Sequence, residues 1–204
     1  MSFLAFLAAA TLLAVTPGPG IAYVVARTVA GGRAEGLASC LGTGIGGMLH
    51  VAAAALGLSA LVAQSAVAFG LVKIVGAAYL GYLGLRLLLR KEAPLAIERL
   101  DRQGARRALL EGVIVEALNV KTALFFLAFL PQFVVPDESL VPRLILLGSI
   151  CVLLNTLADV VAVLGSDRLL ASGPARSARA RLLARMSGTT MLALAGYLAL
   201  ARRP

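Results

Sequence analysis

Thr16-Pro17-Gly18-Pro19-Gly20 interrupts the first long apolar run of this chain, and Asn119-Val120-Lys121 interrupts the fourth. The two prolines remove two amide donors and orphan the carbonyls that would have accepted from them, while glycine tolerates the dihedrals of a break. Hydrocarbon cannot satisfy such backbone, so a broken membrane helix persists only where the break is buried in protein or lines a wet cavity. Corresponding breaks in two halves of one chain point to the binding site of a secondary transporter.

Composition places these runs in a bilayer. Of 204 residues, 60% are hydrophobic and 14% charged, none is tryptophan, and mean hydropathy is +0.92. The charge clusters predict crossings near 2–26, 37–63, 66–89, 108–133, 140–165 and 182–201, each close to the roughly 20 residues a crossing needs. Met1-Ser2 supplies no basic region and the apolar run continues past Pro19, so the first run reads as a span and not as a cleaved signal.

Residues 91–107 form the long polar stretch of the chain, and the alternation of Glu98, Arg99, Asp101, Arg102, Arg106 and Arg107 predicts a short solvated helix. This connection divides a single transmembrane domain, 1–204, into half one (1–90) and half two (108–204). Three spans is an odd number, so a second copy of the unit starts from the opposite face of the membrane. The predicted fold is an all-α integral membrane protein of six transmembrane helices, two three-helix halves in an inverted repeat, with helices 1 and 4 broken. Most of the 19 basic residues, among them Arg27, Arg33, Arg90, Lys91, Arg102, Arg107, Arg168 and Arg185, fall in the first, third and fifth connections. The positive-inside rule makes those connections cytoplasmic and both termini extracytoplasmic.

The net charge of +9 sits at helix ends, without a basic stripe interleaved with aromatics, so the expected partner is the lipid bilayer and not nucleic acid. Glycines at helical spacing, Gly36, Gly42, Gly44, Gly46, Gly47 and Gly57 in the second span and Gly76, Gly81 and Gly84 in the third, predict close helix packing, and such faces also fit a homo-oligomer. Cys40 and Cys151 lie in apolar spans without metal-ligand spacing and read as packing residues. There is no Walker-type loop, no H-E-x-x-H and no C-x-x-C; no enzyme activity, cofactor or metal is expected, and transport must draw on an ion gradient.

Thr16, Pro17, Gly18 and Pro19 are candidate site residues because carbonyls freed there can hold an ammonium, while a helix restarting near Pro19 turns its dipole toward a carboxylate. Glu116, Asn119 and Lys121 in the fourth span are further candidates, since an ionisable group at the bilayer centre costs about 2.5–3.5 kcal/mol or more and so faces a cavity or a partner. The five-residue separation of Glu116 and Lys121 does not suit a pair along one regular helix, so the helix is broken between them or each has another partner. Asp159, one turn after Asn155 in the fifth span, is a natural proton carrier or amine counter-ion, or else a salt-bridge partner of Lys73 or Lys121. His50, the single histidine, is a candidate for a proton relay.

Taken in order, Thr16-Pro17-Gly18-Pro19, the stretch from Gly31 through Arg33, Gly36 and Gly44 to His50 and Gly57-Leu58, Lys73 with Gly76-Ala77-Ala78-Tyr79-Leu80 and Gly84, Gly112, Asn119-Val120-Lys121-Thr122-Ala123-Leu124-Phe125-Phe126 and Pro131-Gln132-Phe133 make a pattern. The chain resembles the LysE/RhtB family of amino-acid exporters in the lysine exporter superfamily, across nearly its full length. The resemblance implies a small exporter that moves amino acids or related metabolites out of bacterial cells across the inner membrane, driven by the proton motive force. Family members commonly read Asn-Pro-Lys where Asn119-Val120-Lys121 stands, which predicts a softer break here. They often carry an acidic residue where Met48 stands and Asn where Glu116 stands, which predicts a relocated site charge. Efflux of a cation or another metabolite, or a non-transport scaffold or lipid-handling role, are the alternatives.

Overall fold

The computed structural model describes residues 3–58, 66–89, 101–134, 139–166 and 174–200. Its helices are α1 (Phe3–Val15), α2 (Pro19–Ala53, prolonged by a π turn at Ala54–Leu58), α3 (Ala66–Leu89), α4 (Ala105–Ala117), α5 (Val120–Leu124), α6 (Leu140–Leu164) and α7 (Pro174–Leu200). A π turn at Phe125–Phe129 and a 3-10 turn at Leu130–Phe133 continue α5. The first part of the predicted solvated helix, 91–100, lies outside the described residues; 101–104 is non-helical, and helix begins only at Ala105.

A straight helix of the length of α2, 35 residues, would reach about 52 Å, well beyond a bilayer core. It is instead a hairpin. Gly32 takes φ 76° and ψ −174°, a conformation open to glycine and closed to side chains with a Cβ. Thr28 then lies against Gly36, Val24 clusters with Cys40, and Gly20 comes close to Thr43, so arms 19–31 and 33–53 run antiparallel. The ten-residue polar connection expected between the first two spans is a one-residue turn with helix on both sides.

Glycine sets two further helix pairs. A Cβ on Gly42 would run into the Leu109 carbonyl of α4, one on Gly46 would stand 2.7 Å from the Val113 oxygen, and one on Gly112 would stand 2.8 Å from the Ser39 oxygen. Gly84 of α3 and Gly188 of α7 meet reciprocally, each Cβ position 2.8 Å from the other's carbonyl oxygen. The close packing predicted for the glycine faces is thus between helices of one chain. Gly42→Ala is expected to destabilise by about 1–3 kcal/mol through overpacking against backbone, whereas Gly57→Ala, with open space around it, is expected to cost nothing. Melting midpoints of the two variants in detergent, followed by circular dichroism because the chain lacks tryptophan, check this.

The main core is aromatic and packs α1 against the segment after the second break. Phe125 stacks on Phe129 at 4.9 Å between centroids, Phe6 meets Phe133 edge-on at 5.6 Å, and Tyr197 of α7 lies 5.2 Å from Phe129. On α6, Leu144, Leu147, Cys151, Asp159 and Val163 are buried, while Leu146, Leu153, Leu157, Val161 and Leu164 form an exposed stripe. A water-facing surface seldom carries so continuous an apolar stripe, and lipid is its natural neighbour. Among the described residues, Leu140–Leu164 and, by length and composition alone, the helical stretch Pro19–Gly57 that holds the hairpin are long and apolar enough to cross a membrane, and α4 with Val120–Phe133 makes a third candidate bent by 45°.

Candidate functional site

The first break follows from its prolines. Residues before proline are driven out of the α region, so α1 stops at Val15 and Gly18 is extended, with φ −142° and ψ −171°. Helix resumes at Pro19, where a missing amide hydrogen costs nothing. The buried Thr16 turns its hydroxyl to the Leu12 carbonyl, and its amide donates to Leu13 O at 3.2 Å.

The second break forms without a proline. Leu118 and Asn119 leave helical geometry, and the Asn119 side chain caps α5 by accepting from the Lys121 amide at 3.1 Å. The same side chain donates from Nδ2 to Glu116 Oε2 at 2.9 Å, and Thr122 Oγ1 donates to Glu116 Oε1 at 2.7 Å. Val120 does not close the break, because the asparagine cap ends one helix and starts the next.

Lys121 joins the two breaks. Its ammonium, on a residue only 7% exposed, donates to Leu13 O at 3.3 Å and Thr16 O at 2.9 Å. Leu13 O is the carbonyl that the residue at position 17 would have satisfied had it not been proline. The side chain passes so close to Gly18 that a Cβ there would sit 3.1 Å from Nζ. Glu116 and Lys121 are therefore separated by a break, and each holds other partners.

Glu116, Asn119, Lys121 and Asp159 line one small cavity with Thr43 and Asn155. Its volume of about 20 Å³ admits a single water. Asp159, 5% exposed, accepts from Thr43 Oγ1 at 2.8 Å; the salt bridge to a lysine considered from sequence is replaced by this hydroxyl. Gly20 and Ile21, at the restarted end of α2, also face the cavity. A Cβ on Gly20 would come 2.8 Å from Glu116 Oε2, so glycine there lets the helix start approach the carboxylate.

His50 stands one step behind. Its Nε2 bonds the Glu116 carbonyl at 2.8 Å; a carbonyl only accepts, so that nitrogen carries the hydrogen. The histidine ties the second arm of α2 to the break and borders neither cavity. Pro17, Gly18 and Pro19 border a second, larger cavity that shares Asn119 and Lys121 with the first. Glu116 lines the small cavity, while Met48 is 43% exposed and borders neither.

Sequence reading missed Thr43, Thr122 and the buried pair of Arg27 and Glu35. Arg27 Nη1 lies 3.3 Å from Glu35 Oε2, and both residues are 2% exposed. Glu35 Oε1 accepts from the Gln103 and Gly104 amides at 3.0 and 2.8 Å, and Arg27 donates to Asp101 O at 3.2 Å. This network clasps the turn of the hairpin to the segment that enters α4.

Apolar helices with a lipid-facing stripe, folded around two breaks and a buried polar centre, define an all-helical membrane protein. The chain belongs to the LysE type translocator family, whose model matches residues 11–202. An uncharacterised membrane protein of Vibrio cholerae is 33% identical over 170 residues, covering 83% of this chain and 80% of that one. A homoserine/homoserine lactone efflux protein of Salmonella typhi is 30% identical over 145 residues, 71% of this chain and 70% of that protein. A leucine efflux protein of Salmonella choleraesuis is 30% identical over 139 residues, 66% of this chain and 64% of that protein. No solved structure matches the chain. Membership makes it a membrane translocator with a small-molecule cargo.

Proposed function

We propose that the protein is a secondary exporter of amino acids or related small zwitterions across the bacterial inner membrane, working as an antiporter against protons. The observation that carries this reading is the reach of the Lys121 ammonium from one break to the carbonyls of the other, beside a polar cavity that also holds Glu116 and Asp159. An ammonium has three hydrogens, and two go to carbonyls, so the third is available to a substrate carboxylate. Asp159 then takes a proton or the substrate amine. The efflux relatives support the direction of transport and the cargo class.

A water-sized cavity holds no amino acid, so loading requires the helices to separate, as alternating access demands. In this reading α1 with the first arm of α2, the second arm, α3, α4 with α5, α6 and α7 make six crossings, with both termini extracytoplasmic. The two broken spans then correspond, each opening with a 13-residue helix, Phe3–Val15 and Ala105–Ala117. The reciprocal Gly84–Gly188 contact between α3 and α7 suits a pseudo-twofold axis between the halves.

Counterflow of labelled amino acids into proteoliposomes, with and without an imposed pH gradient, tests the proposal. Saturable uptake that the gradient accelerates is expected, and Asp159→Asn is expected to abolish the gradient's effect while the protein still folds. Uptake of no amino acid would overturn the cargo class, and normal coupling in Asp159→Asn would remove that residue's role.

A further inference from the structure

The second cavity, about 340 Å³, is within the range of small-molecule sites and lies across Asn119 and Lys121 from the water-sized one. Its walls come from both breaks and from two helices outside the polar centre. Tyr79, Leu83 and Arg86 project into it from α3 at i, i+4 and i+7, one face of a helix, and Met191 closes it from α7. Pro17, Pro19, Leu118 and Val120 complete a largely apolar lining.

Its charge is one-sided. Among the described residues, Arg86 and Lys121 are the charged residues of the lining, and no carboxylate borders it. Lys121 is buried and Arg86 is exposed, in the last turn of α3, so one cation lies at the floor and the other at the mouth. Both carboxylates of the centre, Glu116 and Asp159, lie on the far side of Lys121, in the small cavity. A guanidinium at the edge of an apolar chamber is suited to take a carboxylate in a forked pair, while the walls take an uncharged body.

We infer that this cavity is a loading site for carboxylates with an apolar body, held at its mouth by Arg86 and passed to Lys121 at its floor. Resting on the exporter reading above, it narrows the cargo to amino acids with apolar side chains: the carboxylate and side chain sit in the large cavity, and the amine turns past Lys121 toward Glu116 and Asp159.

The test separates this site from transport. Binding of 4-methylpentanoate, which is leucine without its amine, is measured by isothermal calorimetry on the full-length protein in detergent, beside 4-methylpentanamide, which keeps the shape without the charge. Wild type is expected to bind the carboxylate at least tenfold more tightly than the amide. Arg86→Gln is expected to lose that preference, Arg86→Lys to keep part of it, and Arg106→Gln, outside the cavity, to keep it whole. Equal binding of acid and amide, or an unchanged preference in Arg86→Gln, would overturn the site, because the chamber would then be a greasy cleft open to any chain, including lipid. Carboxylate selectivity in a protein that shows no amino-acid counterflow would retain the site and sink the exporter reading instead; counterflow without that selectivity would do the reverse.

Discussion

Glu35→Ala is expected to cost about 3–5 kcal/mol of stability, the penalty of stranding one partner of a buried ion pair. Arg27 is 2% exposed, and among the described residues it bonds one carboxylate, through Glu35 Oε2, and the Asp101 carbonyl. Its Nε has no partner among the described residues. Removing the carboxylate also orphans the Gln103 and Gly104 amides, which converge on Glu35 Oε1. The damage should be largely reversible by a second change: Arg27→Met with Glu35→Gln removes the stranded charge and keeps an oxygen for the two amides. Gly31 offers an independent route, since a Cβ there would overlap the Glu35 carboxyl group; Gly31→Ala should lower the melting midpoint in the same direction. Melting of the single and double variants in detergent decides the matter. A single variant as stable as wild type would mean that water reaches the pair and that the clasp contributes little.

What sequence could and could not show follows from the range of the forces involved. Thr16–Gly20 was legible because proline writes its effect into the covalent chain: two absent amides break a helix whatever surrounds it. Membrane character was equally open, being a property of composition. The hairpin at Gly32 was hidden, because Arg27, Arg33 and Glu35 look like the solvated charges of an ordinary connection. Arg27 and Glu35 are buried only because residues 101–104 fold over them, a contact some 70 positions away in the chain. The cavity hydroxyls carried no signal either. Threonine within a helix commonly bonds its own preceding turn, as Thr28 does to Val24 O, and only packing aims Thr43 at Asp159 and Thr122 at Glu116. Lys121 was recognised as a buried cation, yet its partners were sought among carboxylates. The carbonyls left by Pro17 and the break at Thr16 supply them instead.

Lys121→Ala is expected to reduce amino-acid counterflow by roughly a hundredfold or more, since two charge-assisted hydrogen bonds disappear and each is worth about 1.5–3 kcal/mol. Those bonds, to Leu13 O and Thr16 O, register the broken first span against the broken fourth, and the same ammonium supplies positive charge beside Glu116 and Asp159. Loss of the side chain takes the ammonium from the Thr16 carbonyl, leaves Leu13 O with the Thr16 amide alone and removes the positive charge beside two carboxylates, so poor folding has to be separated from lost function. Gly18→Ala does this. Its added Cβ would stand 3.1 Å from Lys121 Nζ and 3.2 Å from Cε, tight enough to displace the ammonium by a few tenths of an ångström while every charge remains. Counterflow by Gly18→Ala is therefore expected to fall between wild type and Lys121→Ala, with melting close to wild type. If Lys121→Ala is unstable but transports at the normal rate per folded molecule, the ammonium only fastens the two breaks together. In that case the substrate carboxylate must be held elsewhere. Weakened flux in a well-folded Gly18→Ala protein would instead tie transport to the position of that one nitrogen.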